Sequence, residues 1–181
     1  MKKAQFWYAD FLLAILILVT ISFLFIRNIT DLNSKQDKLQ DIANDGVSIS
    51  NSFMSEGYCP SNNCMNDWGS ISGRIGFVKQ GKAIQYKLTN LTNLTSTNKG
   101  YDISKILLGT KINYVFYFQE NNSNIKISDY GLAPNYIYGK PGITDLANIS
   151  SESLIKTTRL VYLDNLVTKK IVRLVIVAWQ G

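Results

Sequence analysis

The sequence predicts an α+β protein: one long N-terminal helix packed on a small antiparallel β-sheet domain. Three observations carry that prediction. Residues 11–26 (FLLAILILVTISFLFI) are apolar without a break. Behind them Ile29, Leu32, Leu39, Ile42, Ala43, Val47, Ser50 and Phe53 recur three, four or seven positions apart, which is the stripe of an amphipathic helix. The remainder is organised around β-rich runs, of which 112–118 (INYVFYF) is the strongest.

Taken in order, residues 6–26 hold a single charge, Asp10, and as a helix rising ~1.5 Å per residue they reach across the hydrocarbon core of a bilayer, about 30 Å. Trp7 and Tyr8 stand at the start, where amphipathic rings favour the headgroup level, and Arg27 closes the far end. No small-x-small cleavage site follows the apolar stretch, so the expectation is a retained transmembrane anchor. No turn signal separates it from the stripe behind, and one helix is expected from about residue 6 to residue 54. Its amphipathic continuation covers residues 27–54. Gly46 weakens that continuation by about 1 kcal/mol.

Residues 55–181 then form the β-rich domain. Runs 74–79 (RIGFVK) and 83–88 (AIQYKL) flank Gln80-Gly81 and read as a hairpin. Ile103, Ile106 and Leu107 share one face of a short helix over 102–108, which Gly109 terminates. After the strand 112–118, residues 121–124 turn into a shorter strand, 125–128. A loop punctuated by Pro and Gly covers 133–142, and runs 154–163 and 167–179 pair across Asp164-Asn165-Leu166. In the last run Val172, Leu174, Ile176 and Ala178 share one face, with Lys169 and Arg173 on the other. The sum is an antiparallel sheet of about five or six strands.

Composition narrows the function classes. The chain has 181 residues and a net charge of +6, yet no basic run exceeds Lys2-Lys3 or Lys169-Lys170. The charge is a solubility feature, and no nucleic-acid partner is expected. Histidine is absent, which removes the usual general base and the commonest metal ligand. No catalytic residue, cofactor site or metal site is expected, and nothing pairs a particular Ser with a particular Lys as an anchored hydrolase would require.

Sidedness rests on the cysteines. Lys2 and Lys3 precede the span, but Arg27, Lys35 and Lys38 follow it, so the positive-inside count is close to a tie. Cys59 and Cys64 enclose a turn-rich loop and fit a small disulfide better than half of a zinc site, since further ligands are lacking. Disulfides persist outside the cytosol, which places the C-terminal domain outside and the N-terminus inside. Glycosylation sequons at Asn28, Asn90, Asn93, Asn121 and Asn148 give mild support.

The N-terminus resembles that of archaeal type IV pilin-like proteins. Lys2-Lys3-Ala4 is similar to the end of their short basic leader, here residues 1–5, and Asp10 resembles the acidic residue near the fifth mature position. The resemblance implies cleavage by a prepilin peptidase in one of two registers. A cut between Ala4 and Gln5 keeps the preferred residues at the scissile bond and leaves Asp10 sixth. A cut between Gln5 and Phe6 leaves Asp10 fifth but puts Gln where Gly or Ala is expected. Weaker similarities extend along the body, in Trp68 after an Asn-rich stretch, Arg74-Ile75-Gly76, Leu107-Leu108-Gly109 and Arg159-Leu160-Val161-Tyr162. The implied role is a pilin or pseudopilin subunit of a surface filament, assembling with itself or related subunits through the N-terminal helix, with Asp10 meeting the mature α-amino group. The alternative is a permanently anchored extracellular binding or adhesion domain whose contact surfaces are residues 58–72 and 130–138.

Overall fold

The computed structural model describes residues 2–61, 63–121, 123–125, 137–151, 153–164 and 169–180, with side chains from Asp10 onward. The chain divides into two compact units, Met1–Gln40 and Asp41–Gly181. Helix α1 is Lys2–Phe53, and in the first unit it is the whole of the described structure.

The second unit begins with the last turns of α1. It continues through α2 (Cys64–Gly69), β1 (Val78–Lys79), β2 (Lys82–Ala83), α3 (Gln85–Thr95) and α4 (Asn98–Leu108). Strands β3 (Asn113–Glu120), β4 (Ser123–Asn124) and β5 (Tyr138–Gly139) follow, then a 3₁₀ turn (Leu146–Asn148) and the long pair β6 (Leu154–Asp164) and β7 (Lys169–Trp179). The sheet runs β1-β2-β6-β7-β3-β4, with β5 also on β3. The fold is therefore α+β, a helix packed on a sheet, as the sequence predicts.

Three strands form the middle of the sheet. β7 lies antiparallel to β6 from Leu154↔Trp179 to Asp164↔Lys169, and antiparallel to β3 from Asn113↔Trp179 to Gln119↔Arg173. The inner face carries Tyr114, Phe116 and Phe118 of β3 with Val172, Leu174, Ile176 and Ala178 of β7, all buried. The outer face carries Val115, Tyr117, Val175, Val177 and Trp179, covered by Ile137, Ile143, Leu146 and Ile149. Burial on both faces turns alternation into a nearly continuous apolar run, which is why Val175 and Val177 interrupt the polar face expected of β7.

Against the inner face α1 presents Ile42, Ile49, Ser50 and Phe53, all essentially inaccessible to solvent. Phe53 is the hub, with its ring 5.1 Å from that of Phe116, 5.3 Å from Phe77 and 5.9 Å from Tyr114. Two of those contacts are edge-on, the geometry that ring quadrupoles prefer. The buried stripe is narrower than the periodicity predicts. Ile29, Leu32, Leu39 and Val47 are exposed, and Ile49 takes an inward place that the pattern did not include. Gly46 is buried where the helix meets β6 and β7, and a Cβ there would lie 3.7 Å from the Ala178 Cβ and 3.8 Å from the Ile155 Cγ2.

Several sequence expectations need correction. Only Ala83 of the run 83–88 is strand, and the chain turns helical at Gln85 because Leu88, Leu91, Thr92 and Thr95 follow at helical spacing. Of 74–79 only Val78–Lys79 is strand. The hairpin between them is real, with Val78 opposite Ala83 and both Gln80 (φ 50°) and Gly81 (φ 79°) left-handed, as a tight turn of this hand demands.

Among the described residues the sheet has seven strands, and it is mixed, because β2 meets β6 in parallel at Lys82↔Tyr162. Residues 123–124 pair with β3 as β4, Ile125 lies beyond that strand, and 126–128 lie outside the described residues. The turn Asp164-Asn165-Leu166 also lies mostly outside them. Helix α4 ends at Gly109 as expected, in the left-handed conformation (φ 67°), with the Thr110 N–H donating to the Lys105 carbonyl at 3.0 Å. Its inward face, though, is Gly100, Tyr101, Ser104 and Leu108, whereas Ile106 is exposed.

That inward face contains a closed polar network. The Tyr114 N–H donates to the Tyr101 hydroxyl at 2.8 Å, and the Ser104 and Tyr114 hydroxyls lie 2.6 Å apart. Burial pushes the pKa of both tyrosine hydroxyls upward, which keeps them neutral donors.

Replacing Gly46 by Ala adds a methyl at ordinary van der Waals distance and restricts the unfolded chain. Gly46→Ala is expected to raise the unfolding free energy by about 0.5–1 kcal/mol in a denaturant titration of the detergent-solubilised chain. A decrease would show that the helix cannot tolerate a Cβ at this contact.

Candidate assembly surface

The first unit places a large apolar surface in the open. From Phe11 to Ile26 the large apolar side chains are each 42–67% exposed, on all sides of the helix. The helix is long and apolar enough to cross a membrane. Two of its threonine hydroxyls turn back on the helix: Thr20 Oγ1 donates to the Leu16 carbonyl at 2.8 Å and Thr30 Oγ1 to the Ile26 carbonyl at 3.0 Å. Such back-bonding removes a hydroxyl donor from the apolar surrounding of the helix.

Asp10 is exposed on α1, immediately before this surface becomes continuous. Ala4, Gln5 and Phe6, the residues of the two cleavage registers, are helical in backbone, and their side chains lie outside the described residues.

In the second unit Cys59 and Cys64 form a disulfide, with Cα atoms 5.0 Å apart. The loop it closes is tied in other ways. Asp67 accepts hydrogen bonds from the Ser61 N–H (2.9 Å) and the Ser61 hydroxyl (2.6 Å), and the Asn63 side chain caps α2 by accepting from the Asn66 N–H. Tyr58 and Arg74 exchange backbone hydrogen bonds of 2.8 and 2.9 Å across the base. Trp68 is fully buried beneath α2, so residues 58–72 act first as a packed cap on the core.

Beside this cap Lys87 is buried, and its ammonium donates to the Glu56 carbonyl at 2.6 Å. Burial pulls its pKa down, against the opposing pull of the Glu56 charge. Sequence reasoning missed this lysine. The apolar spacing of Leu88 and Leu91 next to it was the available signal.

The other candidate residues are scattered over the second unit. Asn93 is exposed and Asn90 half-buried on α3, Asn121 stands in the β3–β4 turn with φ 47°, and Asn148 is exposed in the 3₁₀ turn. A cavity of about 160 Å³ between the end of α3 and residues 137–144 is lined by Asn93, Ser96, Lys140 and Thr144, among others. Of the Tyr-rich stretch 130–138, Ile137 and Tyr138 are buried and the rest lies outside the described residues. Among the described residues no three His, Cys, Asp or Glu side chains gather where they could hold a metal ion. No protein-family model, characterised protein or solved structure matches the chain.

Removing the Cys59–Cys64 bond is expected to cost about 2 kcal/mol of stability, the entropy of a short closed loop, without unfolding the domain. Paired Cys59→Ser and Cys64→Ser substitutions, followed by denaturant unfolding, check this. Complete loss of folded protein would mean that the disulfide, and not the Asp67–Ser61 bonds and Trp68, organises the cap.

Proposed function

We propose that the chain is a membrane-anchored, pilin-like subunit whose apolar N-terminal helix holds it in the bilayer and then bundles with copies or related subunits in a surface filament. The role is structural and non-catalytic, and the second unit is the part displayed outside the cell. The observation that carries this reading is the uncovered apolar helix over residues 11–26. Each large side chain on it gains about 1.5–3 kcal/mol on full burial. A helix exposed on all sides is covered equally well by lipid or by parallel neighbours, so the same surface serves before and after extraction from the membrane.

Asp10 sharpens the proposal. An ionised carboxylate within a bilayer or a helix bundle costs several kcal/mol unless it is paired. In the pilin-like layout a mature α-amino group, created by a prepilin peptidase at Gln5 or Phe6, is the natural partner. The disulfide supports an oxidising location for the second unit. The alternative, an anchored binding domain that never leaves the membrane, shares the anchor and differs in having neither processing nor a neighbour for Asp10.

Mass spectrometry of the mature N-terminus, with electron microscopy of the cell surface, separates the two. The filament reading predicts a chain beginning at Gln5 or Phe6, filaments that contain it, and an Asp10→Ala variant lost from filaments at unchanged membrane level. An intact Met1 on a filament-free surface would overturn it.

A further inference from the structure

We infer that the second unit carries a self-pairing site on the open edge of β6, by which two copies of this chain join their sheets in a fixed antiparallel register. The edge is visible in the topology. β6 runs from Leu154 to Asp164, yet on the side away from β7 it meets β2 at Tyr162 alone. There the Tyr162 N–H donates to the Gly81 carbonyl at 2.8 Å. Backbone groups alternate in direction along a strand, so Leu154, Lys156, Thr158 and Leu160 point their N–H and C=O groups to that same side. Among the described residues none of those outward groups has a partner.

Both the backbone edge and its side chains stand open. Leu154 and Leu160 are 45% and 67% exposed, and Lys156 and Thr158 are exposed between them. The inward residues of the same strand are occupied. Arg159 donates from Nε to the Ser50 hydroxyl at 2.9 Å and from its terminal nitrogen to the Asn51 amide oxygen at 3.2 Å. Thr157 and Ile155 lie against Gly46. The strand is thus held rigidly from one face and from β7 while its edge remains unpaired, the arrangement that templates another strand.

The occupant follows from the residue pattern. In antiparallel self-pairing centred on Thr157, Leu154 falls opposite the partner's Leu160, and Lys156 opposite the partner's Thr158. All four are outward-pointing residues, so each pair exchanges both of its backbone hydrogen bonds. The two exposed leucines cover each other. Ile155 meets the partner's Arg159, and no two like charges are opposed. Sliding the strands by two residues in one direction sets Lys156 against its own copy. Sliding in the other direction requires the Tyr162 N–H, which Gly81 already holds. The side chains therefore admit the centred register and penalise its neighbours.

Sedimentation of the detergent-solubilised full chain over a range of concentrations tests the site. The wild type is expected to form dimers. Thr158→Lys, an exposed change that sets Lys against the partner's Lys156, is expected to weaken the dimer about tenfold. Adding Lys156→Glu to Thr158→Lys creates opposite charges in that register and is expected to restore dimers. A wild-type monomer at every concentration, an oligomer indifferent to Thr158→Lys, or a double variant no tighter than Thr158→Lys alone would each overturn the inference. An indifferent oligomer would identify the apolar helix as the source of association.

Discussion

Over 114–118 of β3 and 174–179 of β7 both faces are apolar, and the rest of the second unit buries both. Their shared ladder fixes one plane, with Tyr114, Phe116 and Ile176 on one side and Val115, Val175 and Val177 on the other. The inner side needs a deep cover and receives the last turns of α1 together with α2, α3 and α4. The outer side is covered by the segment around Ile143 and Ile149. Phe53 packs its ring against Phe77 and against Tyr114 and Phe116 of β3, which makes the end of α1 a structural part of the domain core. The helix contributes a side chain that no loop in this chain replaces.

The first unit has the same residue types and the opposite solution. Leu, Ile and Phe fill residues 11–26 as they fill the core strands, but among the described residues no element covers them. In the proposed role the cover comes from outside the chain, from lipid or from other helices. A division of one helix into a self-covered part and an externally covered part follows from composition alone, since the polar residues return at Arg27 and recur to the end of the helix. The hydrophobic effect drives both parts, and only the source of the cover differs.

Much of this was legible in the sequence wherever a pattern was long. The apolar helix, the strand at 113–120, the closing pair β6 and β7 and the stop at Gly109 all carry signals that extend over a full element or rest on one conformationally required residue. Short patterns misled. Ile84, Tyr86 and Leu88 alternate as a strand does, and only the about two further turns of polar and apolar spacing to Thr95 reveal α3. On α1 the stripe named Val47, which is exposed, where the packing uses Ile49, which is buried. The disulfide was legible from loop length and the lack of other ligands. The buried Lys87 and the open edge of β6 were not, since each depends on which segments the topology brings alongside.

The proposed role requires residues 11–26 to be covered by a bilayer and the second unit to lie on its outer side. Both native cysteines are paired, so a single added thiol reports location without interference. Lys99 is exposed in the first turn of α4, and a Lys99→Cys chain can be labelled with a membrane-impermeant maleimide on intact cells. The expected result is a chain that sediments with membranes through alkaline carbonate washing and is labelled fully without permeabilisation. A chain released by carbonate, or labelled only after the cells are opened, would contradict it.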